Sequence, residues 1–365
     1  MRDRRVPGLR DPSSLAAVSL RMQRRTGVPI LGYGHPASGW QGAREYAMTT
    51  ASVEIGTTER PALAMHCGGI DFRNPVLTAS GTFGYGKEFE GLIPLSSLGG
   101  LVTKGISPNP RFGNSAPRIC ETASGMLNSI GLENVGVEGF AAGKLPFLRT
   151  CGTKVLVNFF GTTFDDYVDC GERLGKLDGV DGLEMNVSCP NIKAGGIEFG
   201  RDPQVLGDLV RACRKVIAKP LWVKLTPNTS DIVGLARACA EHGADAVSVI
   251  NTITGMAIDV RTRRPRLATI FGGLSGPAIK PIALRMVYQI HRARLGIPIC
   301  GIGGIQTGLD AVEFFLAGAS TVQVGTQNFI DPASAERIVR EVEDFCRQSS
   351  VSDLRELVGA METQP

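Results

Sequence analysis

The feature that most constrains this chain is a rhythm. From about Ala62 onward, short β-branched runs recur, each bounded by Gly, Pro, Asn or Asp, and most are followed by a helix-compatible stretch. The pattern predicts strands over Pro75–Ser80, Gly100–Lys104, Lys154–Phe159, Gly182–Val187, Leu221–Leu225, Ala246–Ile250, Ile297–Ile302 and Thr321–Val324. Helices are expected over Pro203–Ile217, Ser230–His242, Pro281–Arg294, Leu309–Ala317 and Pro332–Arg347. Several strands are apolar on both faces, as in Ala246-Val-Ser-Val-Ile250, so they are covered on both sides. Eight strand-helix units in roughly 300 residues point to an α/β fold, the (β/α)8 TIM barrel, rather than an open doubly wound sheet. A pair of apolar segments, Ala62–His66 and Gly69–Phe72 around Cys67-Gly68, predicts a β-hairpin closing the barrel bottom.

Composition narrows the classes further. With 6% aromatic residues and 46 glycines in 365, the core has to be built from Val, Ile, Leu and Ala. A membrane span needs about 20 apolar residues in a row. The uncharged stretch between Arg25 and Arg44 carries five glycines and two prolines and would break as a helix first, so no membrane partner is expected and the reading is cytoplasmic. Nine cysteines without a C-x-x-C pair argue against a disulfide scaffold, a structural zinc or an iron–sulfur cluster held by this chain, and no metal site is expected.

The charge is unevenly placed. Residues 1–47 hold eight arginines, no lysine and three acids, a net +5 that leaves the rest of the chain near −1. This leader reads as a disordered tail or as an upstream extension with Met48 as the start; an Arg-rich transit peptide is the sharper alternative. Its arginines form no recognisable nucleic-acid-binding module, so nucleic-acid binding is not expected. The expected division is a leader (1–47), a barrel (48–350) and a C-terminal tail (351–365).

Barrel sites lie at the carboxyl ends of the strands. Those ends carry Ser80-Gly81, Lys104-Gly105, Asn158, Asn186 to Cys189, Lys224, Asn251-Thr252, Gly303-Gly304 and Gly325-Thr326. An ordinary turn explains either glycine pair alone. In tandem after the last two strands they fit a phosphate cup, belonging to a substrate or to a cofactor such as FMN. Lys104 and Lys224, ending strands inside a barrel mouth, call for an anionic partner, which the pyrimidine edge of a reduced flavin would supply. Cys189 lies past a strand end, before Pro190 and between two asparagines. None of His35, His66, His242 and His291 ends a strand, so a Cys-His nucleophilic pair is disfavoured and general-base use of Cys189 is the better reading.

Six ordered segments carry a resemblance to a known family. They are Ala79-Ser-Gly-Thr-Phe-Gly-Tyr-Gly86, Thr103-Lys-Gly-Ile-Ser-Pro-Asn-Pro-Arg-Phe-Gly-Asn114, Met126-Leu-Asn-Ser-Ile-Gly-Leu-Glu-Asn134, Asn186-Val-Ser-Cys-Pro-Asn191, Gly272-Gly-Leu-Ser-Gly-Pro277 and Gly301-Ile-Gly-Gly-Ile305. From about Met65 to Phe345 the chain resembles the class 1 dihydroorotate dehydrogenases, and most of all the catalytic FMN subunit of the NAD-linked class 1B. The resemblance implies an FMN barrel that oxidises (S)-dihydroorotate to orotate in pyrimidine (UMP) biosynthesis. It implies that Cys189 is the base taking the C5 proton while the C6 hydride passes to the flavin. It implies flavin contacts from Ser80, Lys104, Gly105, Asn158, Asn186, Lys224, Ile250, Gly276, Gly303, Gly304, Gly325 and Thr326. The substrate frame it implies is Lys104, Asn128, Ser129, Ile130, Gly131, Leu132, Asn186, Asn191, Asn251 and Thr252.

The membrane-bound class 2 enzymes have Ser where this chain has Cys189, and the loop Asn191–Gly200 looks like class 1B rather than the fumarate-linked class 1A. In class 1B a second subunit carries FAD and a 2Fe-2S cluster and passes electrons to NAD. The implied assembly is a homodimer core within a heterotetramer. The alternatives are a related flavin barrel acting on another dihydropyrimidine, a class 1A enzyme, and an inactive barrel kept as a scaffold for a partner.

Overall fold

The computed structural model describes residues 60–188 and 199–363. The leader, Cys189 and Asn191 lie outside the described residues, which belong to one compact unit. Eight parallel strands close a barrel: Val76–Thr78, Gly100–Val102, Lys154–Phe159, Gly182–Asn186, Leu221–Lys224, Ala246–Val249, Ile299–Ile302 and Thr321–Val324. The first pairs with the eighth, through Thr78 opposite Val324, and every other strand pairs with its neighbours in sequence. All eight fall within the predicted runs.

Helices alternate with the later strands as expected, at Pro203–Arg214, Ile232–Glu241, Lys280–Arg292, Gly308–Leu316 and Ser334–Gln348. The first ends three residues earlier than predicted because its last turn tightens, Val216 N–H donating to the Cys213 carbonyl. Caps set several starts. Thr307 accepts from Asp310 N–H while Asp310 reaches back, a capping box, and Asp202 caps the Pro203 helix. In Ser334–Gln348 the buried Ile338, Val342 and Cys346 recur every four residues and form the stripe that packs on the barrel.

The hairpin pairs Met65–Cys67 with Ile70–Phe72. Cys67 lies in its first strand, and the turn is Gly68-Gly69 instead of Cys67-Gly68. Both glycines have positive φ, 51° and 79°, as a tight hairpin turn of the right twist requires. The Trp222 indole N–H donates to the Gly68 carbonyl at 3.0 Å, pinning the turn under the barrel. Just before the hairpin, Ala62 bridges Asp353 in parallel. Its N–H donates to the Ser352 carbonyl, and its carbonyl accepts from Leu354 N–H. The 353–357 turn buries Leu354 and Leu357 on the core.

Side chains two apart on a strand share a face. Following the pairing registers around the ring stacks the interior in layers drawn from alternate strands, as closed (β/α)8 barrels do. Lowest are Leu77, Leu156, Trp222 and Cys300 of the odd strands, in one buried cluster with Cys67, Ile70 and Phe72 of the hairpin. Above them come Val102, Glu184, Ser248 and Gln323 of the even strands. Ala79, Asn158, Lys224 and Ile302 form the third layer, and Lys104, Asn186, Ile250 and Gly325 the fourth.

One element was not expected. A four-stranded antiparallel sheet, in the order Ile253–Met256, Phe271–Ser275, Gly125–Asn128, Ile119–Thr122, stands beside the barrel mouth. Gly273–Ser275 pairs with Met126–Asn128 in this sheet, with Gly273 opposite Asn128.

Candidate active site

A cavity of about 1050 Å³ opens at the carboxyl ends of the barrel strands. Its floor is the upper two interior layers. Every described residue expected at a flavin or substrate site lines it, from Ser80, Lys104, Gly105 and Asn158 round to Gly303, Gly304, Gly325 and Thr326. Asn128 to Leu132 reach it from the antiparallel sheet and the turn that follows, and Asn251-Thr252 from the end of the sixth strand. Cys189 and Asn191 lie outside the described residues, so the structure assigns them no position.

Lys104 and Lys224 line the cavity together with Arg111, Arg118, Arg201, Glu88 and Glu133. Lys224 ends the fifth strand only 5% exposed and has no ion pair among the described residues. An ammonium so desolvated is costly unless an anion joins it. Lys104 is half-buried on the opposite rim. The Glu133 carboxyl is held below its ordinary range by a hydrogen bond from Arg118, whose Nη1 stands 2.6 Å away, and by the charge of Lys104.

The carboxamides are fixed by one another. Asn186 Oδ1 accepts from Asn251 Nδ2 at 3.2 Å and from Ser188 N–H at 3.1 Å, and Tyr167 O–H donates to the Asn186 carbonyl. Asn128 Nδ2 donates across the sheet to the Gly273 carbonyl at 3.2 Å. Three residues of the cavity wall carry a buried side-chain oxygen without a partner, Tyr85 (Oη), Ser129 (Oγ) and Asn158 (Oδ1). Buried polar atoms are rarely left so. Leu132, at the rim, sits at φ 58°, a left-handed conformation that a branched residue adopts only when its surroundings impose it.

The expected phosphate cup also fits. Gly276, Gly303 and Gly304 all have positive φ, and a Cβ on Gly304 would stand 3.0 Å from both the Gly276 carbonyl oxygen and the Lys280 nitrogen. Gly325 is different: its φ is ordinary and a Cβ there would meet nothing nearer than Ala79 Cβ at 3.6 Å. Its bareness leaves room on the cavity side. A small cleft lined by Gly276, Gly304, Gly325 and Thr326, residues shared with the main cavity, lies at the loops after strands seven and eight, where barrels of this kind frequently bind phosphate. Buried lysine, unpartnered acceptor and glycine cup together suit a flavin mononucleotide.

Sequence reasoning passed over Arg111, Arg118, Asn228 and Phe271, all on the cavity wall. Asn228 bonds the 252–254 segment through both ends of its amide, Nδ2 donating to the Thr252 carbonyl and Oδ1 accepting from Thr254 N–H. It stands four residues past a strand end in a Thr-Pro-Asn turn, the same kind of signal that singled out Asn158 and Asn251.

Comparison with known proteins agrees with this geometry. The family model described as "Dihydroorotate dehydrogenase" matches residues 62–346. A Geobacter metallireducens protein named "Dihydroorotate dehydrogenase B (NAD(+)), catalytic subunit" is 54% identical over 304 residues, 83% of this chain and 99% of the relative. Proteins of the same name from Geobacter sulfurreducens and Trichlorobacter lovleyi are 55% and 53% identical, each over 83% of this chain and 99% of their own length. The resemblance carried by the six segments therefore holds across the barrel, and the chain belongs to the dihydroorotate dehydrogenase family of oxidoreductases.

Proposed function

We propose that this chain oxidises (S)-dihydroorotate to orotate at the barrel mouth, in UMP biosynthesis, as the FMN subunit of a class 1B enzyme. The observation that carries the reading is Lys224, an almost fully buried ammonium with no ion pair among the described residues, on the floor of a cavity ringed by carboxamides and backed by a glycine cup.

Bound FMN would supply the acceptor for the hydride leaving C6. Asn158, Asn186, Lys224 and Ile250 would hold the ring, while Gly276, Gly303, Gly304, Gly325 and Thr326 would hold the phosphate, with Ser80 and Gly105 at the edges. Lys224 stabilises negative charge that develops on the ring's pyrimidine edge. Lys104 attracts the substrate carboxylate, and Asn128, Ser129, Asn191, Asn251 and Thr252 hydrogen-bond a planar diamide ring, enclosed by Ile130, Gly131 and Leu132. Cys189 takes the C5 proton. The eight described cysteines are buried free thiols. Burial pushes Cys67 and Cys213 up to about 12 and raises Cys170, Cys239 and Cys300 as well, which makes them poor bases at neutral pH.

The word "subunit" in the relatives' names supports a second chain, which we assign the FAD and 2Fe-2S cluster that relay electrons to NAD. The assembly we infer is a homodimer core within a heterotetramer. No helix among the described residues is long and apolar enough to cross a membrane, in keeping with a cytoplasmic setting. We assign catalysis to the barrel within residues 48–350 and none to the 1–47 leader.

Anaerobic dihydroorotate should bleach the visible flavin band of the purified, FMN-loaded chain. Absence of bound FMN, or no bleaching, sinks the reading, and faster bleaching by dihydrouracil transfers it to another dihydropyrimidine. Reoxidation by fumarate in the isolated chain would point to class 1A. Reoxidation by NAD only with the partner present supports class 1B.

A further inference from the structure

We propose that Glu184, in the layer beneath the site, is a positioning residue: it fixes which way the Asn158 amide faces, and thereby gives the cofactor a hydrogen-bond acceptor. The inference rests on the flavin reading above. Glu184 is fully buried at the barrel centre. Its Oε1 accepts from Asn158 Nδ2 at 2.8 Å, and its Oε2 accepts from Ser248 Oγ at 2.6 Å and Gln323 Nε2 at 2.7 Å. No lysine or arginine pairs with it among the described residues, so three neutral donors from strands three, six and eight compensate its burial.

A carboxylate offers only acceptors, whereas an amide offers a donor end and an acceptor end. An amide touching Glu184 must therefore turn its NH2 inward and its oxygen away. Asn158 and Gln323 both do so, and both oxygens are buried with no partner. Asn158 Oδ1 belongs to the cavity wall. It lies 2.8 Å from where a Cβ on Gly105 would stand, so any side chain at 105 would crowd it. Reversing the amide would set two oxygens against each other below and present an NH2 to the site. An isolated apolar core would not favour an arrangement with two unmatched acceptors.

The missing partner is a donor. The oxidised isoalloxazine ring carries a single N–H, on its pyrimidine ring, and we assign the Asn158 oxygen to it.

Apo protein titrated with FMN and with N3-methyl-FMN, followed by flavin fluorescence, tests this without turnover. Wild type should bind FMN at least tenfold more tightly than the methylated analogue. In Glu184→Gln, which removes the constraint on the amide, that preference should fall below about threefold, and the reduction potential of bound FMN should shift. In a double variant with Asn158→Ala the second change should add no further loss. A wild type without the preference overturns the inference, as does a Glu184→Gln protein that keeps it or a double variant whose losses add. If Glu184→Gln fails to fold, Asn158→Ala alone should lose the preference, and its retention overturns the inference equally. A wild type that binds no FMN refutes the flavin reading itself, which separates the two failures.

Discussion

Two successive layers inside the barrel are built from alternate strands yet have opposite chemistry. The odd-strand layer, Leu77, Leu156, Trp222 and Cys300, is sealed from below by the hairpin and makes one dry cluster. One residue step upward, Val102 still belongs to that cluster, but the other even strands contribute Glu184, Ser248 and Gln323, joined by hydrogen bonds. The contrast teaches where a barrel separates holding itself together from doing chemistry. The base gains stability by packing, and from Glu184 upward polar side chains hold one another in place below and around the cavity.

Substitutions on the two sides should therefore be read out by different instruments. The largest expected effect is above the boundary: Cys189→Ser should slow flavin reduction by dihydroorotate about 10²–10⁴-fold, with the unfolding midpoint unchanged. Stopped-flow absorbance measures it, and an unaltered rate removes Cys189 from the role of base. Below the boundary, Trp222→Ala should lower unfolding stability by about 3–5 kcal/mol in denaturant titrations while the folded protein keeps its FMN affinity. A variant that lost flavin binding without losing stability would erase the distinction between the layers.

Gly325→Ala sharpens it from the other side. The added methyl has ordinary space in the protein, so apo stability should hold, whereas FMN affinity should drop tenfold or more, about 1.4 kcal/mol, in fluorescence titration.

The smallest effect lies at the rim. Burial alone would raise the Asp310 carboxyl, but the Lys280 ammonium 2.6 Å away and the N–H groups of Gln306 and Thr307 outweigh it and hold it below the ordinary carboxylate range. Its contribution is thus present at neutral pH and fades as pH falls through that lowered value. Asp310→Asn should cost about 1 kcal/mol at pH 7, and the gap between variant and wild type should narrow in melts at pH values below about 4. A gap that widened in acid would contradict this assignment.

The barrel strands were legible because each is a short run buried on both faces and closed by glycine, proline or a carboxamide, a signal contained within a few residues. The antiparallel sheet was not. Gly125–Asn128 and Phe271–Ser275 are short and glycine-bearing, and they pair across about 145 positions of chain, which no local pattern records. Strand ends located Lys104, Asn158, Asn186 and Lys224, since in this architecture the end of a strand is the site. Glu184 passed unnoticed for the converse reason. Within Gly-Leu-Glu-Met-Asn it is one charge in an apolar run, and its meaning depends on residues 158, 248 and 323, brought to it only by register.

The bridge between Ala62 and Asp353 has a consequence for how the barrel is made. It joins the opening of the described fold to one of its last turns, a contact spanning nearly the whole domain, while the ring itself closes through the pairing of the eighth strand with the first. Loop entropy penalises such a contact only logarithmically. Synthesis imposes the stricter order, because the closing turn leaves the ribosome last. The ring the hairpin plugs closes earlier, once Thr321–Val324 can pair with Val76–Thr78, so the turn at 353–357 clamps a barrel whose eight strands are already made.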